Sequence, residues 1–95
     1  MTIIICCEPL FPPGEVVATQ GALEDVPEIE IGNALNRHLQ GNWGDVCEED
    51  KQLNNYALCH EERLLSAYHT TDNVKFWIIT EADRSVTTVL LPDEY

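Results

Sequence analysis

The strongest constraint in this chain is a change of period in its last third. Arg63–His69, Val74–Thr80 and Ser85–Leu91 are three runs rich in Val, Ile, Thr and aromatic residues. Only Thr70–Asn73 and Glu81–Arg84 separate them. Links this short cannot carry a crossover, so the three runs predict an antiparallel meander. Alternation along the middle run places Val74, Phe76 and Ile78 on one face and Lys75, Trp77 and Ile79 on the other. Both sets are largely apolar, which predicts a central strand covered on both sides at least in part. Pro92 stops the last run.

The first two thirds read as helix with one or two added strands. Thr2–Cys6 and Glu15–Thr19 are short β-branched runs, separated by a loop over 8–14 that holds Pro9, Pro12, Pro13 and Gly14. Ala22–Val26 fits one helical turn. Pro27 suits the first position of a longer helix. Ile31, Ala34, Leu35, His38 and Leu39 then recur with helical period, and Gly41 suits the C′ position. Gly32 inside that helix costs about 1 kcal/mol relative to Ala. Asp45 and Glu48 have capping-box spacing and predict a second helix over 46–59, with Glu48, Glu49 and Asp50 in its first turn. Trp43, in the turn between the helices, is expected to pack the helices onto the meander. The expectation is one α+β domain over 1–95: a C-terminal three-stranded antiparallel meander, one or two N-terminal strands, and two helices on the sheet.

Charge narrows the function. The chain carries 17 acidic and 5 basic residues, a net −12. Residues 1–50 hold ten of the acids and a single base, Arg37. Nonspecific nucleic-acid binding draws on Lys and Arg neutralising phosphates, so direct binding to nucleic acid or to an anionic membrane is disfavoured. No run approaches the roughly 20 apolar residues of a spanning helix. The opening apolar run lacks a basic n-region, and the four cysteines show no metal-ligand spacing. A cytoplasmic setting with Cys6, Cys7, Cys47 and Cys59 free and mostly buried is therefore expected, with no metal and no cofactor.

Three stretches together carry a resemblance: Val17–Glu24, Gly41–Asp45, and Arg63–Tyr95 with its Phe76-Trp77-Ile78-Ile79-Thr80 and Leu90-Leu91-Pro92-Asp93-Glu94-Tyr95 runs. They resemble a family of small uncharacterised proteins carried on bacterial plasmids, integrative elements and phages. The first ten residues, Cys47 and Cys59 depart from that pattern. The resemblance implies a mobile-element context, in which small acidic proteins often block host defence.

The candidate site is the acidic set Glu24, Asp25, Glu28, Glu30, Asp45, Glu48, Glu49 and Asp50. Duplex DNA carries about one charge per 1.7 Å of axis, and residues three or four apart on a helix lie about 5–6 Å from each other. Carboxylates so placed can imitate a phosphate backbone. The expected partner is a positively charged nucleic-acid-binding protein of a host defence system, met by a monomer or homodimer. The bland alternative is a solvated acidic surface with carboxylates at helix starts. A second class is a small nuclease-like or hydrolytic enzyme using His38 or His69 with Arg84. A third is a regulatory adaptor that dimerises through a sheet edge. His38, on the apolar stripe, reads first as a satisfied core residue, and His69 as exposed.

Overall fold

The computed structural model describes residues 9–95. In order, these form β1 (Glu15–Ala18), α1 (Gln20–Asp25), α2 (Glu28–Leu39), α3 (Glu48–His60), β2 (Leu64–His69), β3 (Lys75–Thr80), β4 (Val86–Leu90) and a closing 3-10 turn, Pro92–Glu94. The strand expected over 2–6 lies outside the described residues. The fold is α+β, with the expected meander at its centre. Strands β2 and β3, then β3 and β4, pair antiparallel. The sheet order is β1-β4-β3-β2.

The sequence predicted β1 but not its partner. β1 joins β4 in parallel, with Val16 beside Thr87 and Ala18 beside Val89. Parallel neighbours need a long connection, and here the three helices, β2 and β3 supply it.

The two faces of the sheet differ. Leu64, Ser66, Tyr68, Phe76, Ile78, Thr80, Thr87 and Val89 share one face and are all buried. Helix α2 buries against the core the stripe its period predicted: Ile31, Ala34, Leu35, His38 and Leu39. Phe11 and Trp43 complete that core, with ring centroids 5.4 and 5.6 Å from His38. Trp43 is thus a packing residue, as expected. On the other face Ile79 and Leu90 are buried and Trp77 half-buried. The Tyr95 ring meets Trp77 edge-on at 5.8 Å.

Helix α3 packs by a different device. Its buried residues are Asn54 and Ala57, while Leu53 and Tyr56 face water. The Asn54 amide donates to the Leu65 carbonyl at 2.7 Å and accepts from the Leu65 N–H at 3.1 Å. It pairs with β2 as another strand would. Further along the same edge, Ala67 N–H donates to Trp43 O and Asp45 N–H donates to Ala67 O. The edge is thereby closed to other chains.

The capping box anticipated for α3 is not made. The helix begins at Glu48 behind Cys47, without a side-chain cap, because the Asp45 carboxylate bonds His69 instead. Before α2, Pro27 is the cap residue rather than the first helical one. Gly41 holds its C′ role, at φ +78°.

Gly44 is where backbone geometry forbids a side chain. It sits at φ +75°, bridged to Ala67, and a Cβ there would lie 2.0 Å from the Ala67 carbonyl oxygen. Gly44→Ala should therefore cost about 3 kcal/mol or more, which lowers Tm by more than ~10 °C in a domain this size. Thermal melting followed by circular dichroism checks it; a drop of only a degree or two would contradict this account of the edge.

Candidate functional site

The strand directions gather the candidate acids at one end of the sheet. β2 ends, and β3 begins, at the turn 70–74. Because β4 is antiparallel to β3, and β1 parallel to β4, both finish at that same end. Helix α1 follows β1 directly, so Glu24 and Asp25 lie there. Helix α2 starts there: Glu30 accepts from the Thr71 N–H at 2.9 Å, and Glu28 is its first residue. Helix α3 runs antiparallel to β2, from Asp45 beside His69, past Asn54 beside Leu65, to Ala57 near the opposite end. Its first-turn acids Glu48, Glu49 and Asp50 thus belong to the same half.

Sequence reasoning missed three more acids at this end: Asp72 in the turn, and Asp93 and Glu94 in the 3-10 turn after β4. Only the topology brings them there.

Several of these carboxylates are held in place. Asp45 Oδ2 lies 2.6 Å from His69 Nδ1. Glu24 accepts from Gln20 at 3.1 Å. Glu94 accepts from Thr19 Oγ1, the Gly21 N–H and the Leu91 N–H. These bonds, the Thr19 hydroxyl foremost, hold its carboxyl below the usual carboxylate range. Asp45 lies before α3 and turns toward the β2–β3 hairpin, so it does not share a helix face with Glu48 and Glu49. The positive ends of α2 and α3 point toward this end of the sheet and offset some of the crowding.

Few cations answer this charge. Among the described residues the only Lys or Arg ion pair is Arg63–Glu81, at 3.9 Å and at the opposite end. Arg37 bonds Asn42 and lies over the Tyr68 ring. Arg84 donates to the carbonyls of Glu62, Glu81 and Ala82 through one nitrogen and to Ala57 through the other. It ties the β3–β4 turn to the C-terminal end of α3, where a cation suits the helix dipole. In the same turn Asp83 accepts from the Ser85 N–H and hydroxyl, while the Arg84 bonds go to carbonyls and not to a carboxylate.

The catalytic alternative is not assembled around His38. That ring is fully buried. Its Nδ1 lies 2.5 Å from Ser66 Oγ and its Nε2 2.9 Å from Thr80 Oγ1. Thr80 in turn meets Thr87 at 2.7 Å, and Thr87 donates to the Pro13 carbonyl. The proton positions follow in sequence. Thr87 gives its only proton to Pro13, so Thr80 donates to Thr87, and His38 must carry hydrogen on Nε2 and accept from Ser66 at Nδ1.

His69 is exposed, as expected, and its partner is Asp45. His60 Nδ1 donates to the Tyr56 carbonyl at 2.9 Å. Cys47 and Cys59 are free but exposed, which corrects the expectation of burial: Cys47 immediately precedes α3 and Cys59 lies in its last turn. Cys6 and Cys7 lie outside the described residues. No group of three or more His, Cys, Asp or Glu among the described residues is placed to hold a metal ion. No described helix is long and apolar enough to cross a membrane.

No protein-family model, curated protein or solved structure matches the chain, and its site is read from geometry alone.

Burial foremost, and then the Arg84 charge, lower the His38 pKa from an ordinary 6.5 to about 3. Folding therefore favours the neutral ring. That stabilisation is complete above the unfolded value of 6.5 and drains away as pH falls toward 3. Between pH 7 and 5, above the usual carboxylate range, stability should fall with a slope approaching ~1.4 kcal/mol per pH unit. In His38→Gln, less stable at pH 7, that slope should flatten. Urea unfolding at several pH values measures both; an unchanged slope in the variant would show that His38 does not carry it.

Proposed function

We propose that this chain is an acidic protein inhibitor: a nucleic-acid mimic that occupies the positively charged DNA- or RNA-binding channel of a bacterial defence complex, of CRISPR or restriction type, in the host cytoplasm. The observation that carries this reading is the gathering of Glu24, Asp25, Glu28, Glu30, Asp45 and Glu48 at one end of a rigid sheet, where they outnumber the nearby cations Lys51 and Lys75. Four strands at about 4.8 Å spacing make that end roughly 15–20 Å across, room for a phosphate-like density of charge. Carboxylates fixed before binding lose little freedom on meeting channel Lys and Arg. Their long-range attraction speeds association. The resemblance to mobile-element proteins agrees with this context.

The enzymatic reading is weaker on specific grounds. His38 has no solvent access and Arg84 is committed to four carbonyls, which leaves the exposed His69–Asp45 pair alone. Dimerisation through a sheet edge loses the edge of β2, already closed by Asn54 and residues 43–45.

The test is capture of labelled DNA by a purified CRISPR effector or restriction complex, with the protein in excess. Capture should be blocked, with inhibitor affinity falling about ten-fold or more as salt rises from ~0.05 to ~0.5 M. Neutralising Glu24, Asp25 and Glu28 together should weaken inhibition about ten-fold or more. Neutralising Glu15 and Glu62, at the opposite end, should change it little. Normal DNA capture by a panel of such complexes would overturn the proposal.

A further inference from the structure

Helix α3 turns its largest apolar side chains away from the core. Glu49, Leu53, Tyr56 and His60 recur at i, i+4, i+7 and i+11, a single stripe centred about 100° around the helix from the buried pair Asn54 and Ala57. Leu53 is 63% and Tyr56 53% exposed. In an ordinary amphipathic helix this stripe would be the buried one. Here the Asn54 amide seats the helix on β2 and leaves the stripe free.

Two details separate it from incidental exposure. The Tyr56 and His60 rings stack at 3.7 Å, only 8° from parallel, and His60 Nδ1 bonds the Tyr56 carbonyl. The pair is thus a flat aromatic platform ordered before any partner arrives, which lowers the entropy cost of docking. The stripe also begins among the carboxylates Glu48, Glu49 and Asp50.

We infer that this face of α3 docks a basic amphipathic helix of the target protein. Leu53 and Tyr56 meet its apolar side, the first-turn carboxylates pair with its Lys and Arg, and the aromatic platform accepts a guanidinium or ammonium. Charge complementarity selects this occupant over a second copy. Two copies would bring like-charged first turns together. One helix of 13 residues also offers far less than the roughly 800 Å² per partner of a standard stable interface. The identity of the target rests on the inhibitor reading; the chemistry of the face does not.

The probe is a synthetic 18-residue helical peptide of Lys and Leu in amphipathic order, against a scrambled peptide of equal charge and composition. Binding to the full chain is followed by fluorescence anisotropy. The amphipathic peptide should bind about ten-fold or more tightly than the scrambled one. The double variant Leu53→Ser/Tyr56→Ser should lose that preference while keeping its melting temperature. Leu10→Ser, an equally exposed leucine elsewhere, should retain it. Equal binding of the two peptides, or a preference that survives in the double variant, would overturn the inference. So would a solution mass twice 10.7 kDa that halves in the double variant, since a second copy would then hold the face. A peptide preference alongside undisturbed DNA capture would sink the inhibitor reading and leave this docking face standing; blocked capture with no peptide preference would do the reverse.

Discussion

One buried imidazole links most of this fold. His38 comes from α2, Ser66 from β2, Thr80 from β3 and Thr87 from β4, and Thr87 reaches the Pro13 carbonyl just before β1. Each hydroxyl has one proton and one place to send it, so the chain of bonds runs in a single direction. An apolar core would allow α2 to slide or turn by a residue at modest cost; a polar network this connected allows one register. Every polar side-chain atom buried among the described residues has a partner, which is the condition for such a network to stabilise rather than penalise. Phe11 and Trp43 close the ring off from water. The Arg84 guanidinium lies over the Phe11 ring, 5.6 Å from its centroid, and joins this core to the end of α3.

Much of this was legible in the residues and some was not. The meander, the stripe on α2, the Gly41 stop and the burial of His38 and Trp43 all follow from local period and turn chemistry. The parallel pairing of β1 with β4 does not, because strand choice across a long crossover depends on the whole topology. The packing face of helix α3 was not legible, for a physical reason. Its apolar period points to Leu53 and Tyr56, yet one bidentate amide at Asn54 outweighs that stripe by satisfying two backbone groups of β2. Asp45 misled likewise: its spacing to Glu48 suits a cap, but His69 from a distant strand takes the carboxylate. Composition favoured buried cysteines, whereas Cys47, just before α3, and Cys59, in its last turn, are exposed. Of the candidate site, the residue identities were legible. Their convergence, and the addition of Asp72, Asp93 and Glu94, came only from strand direction.

The topology also explains how so acidic a chain stays folded. Helices α2 and α3 present their N-terminal ends where acids crowd, and several carboxylates accept backbone or hydroxyl protons. Two of the cations serve the structure: Arg84 bonds carbonyls and Arg37 lies over an aromatic face. The outcome is an uneven charge: eleven described acids at the end of the 70–74 turn against Glu15, Glu61, Glu62, Glu81 and Asp83 at the other, and the proposed decoy reading rests on that imbalance. The same arrangement leaves α3 with an unused apolar stripe leading away from the acidic end.

The network's direction is open to direct measurement. Long-range 1H–15N correlation spectra of 15N-labelled protein report which ring nitrogen of each histidine carries the proton. The account predicts that His38 stays neutral with hydrogen on Nε2 from pH 8 to about 4.5, while its Nδ1 shows the shift of an unprotonated acceptor. Hydrogen on Nδ1, or a His38 that titrates near 6.5, would contradict it.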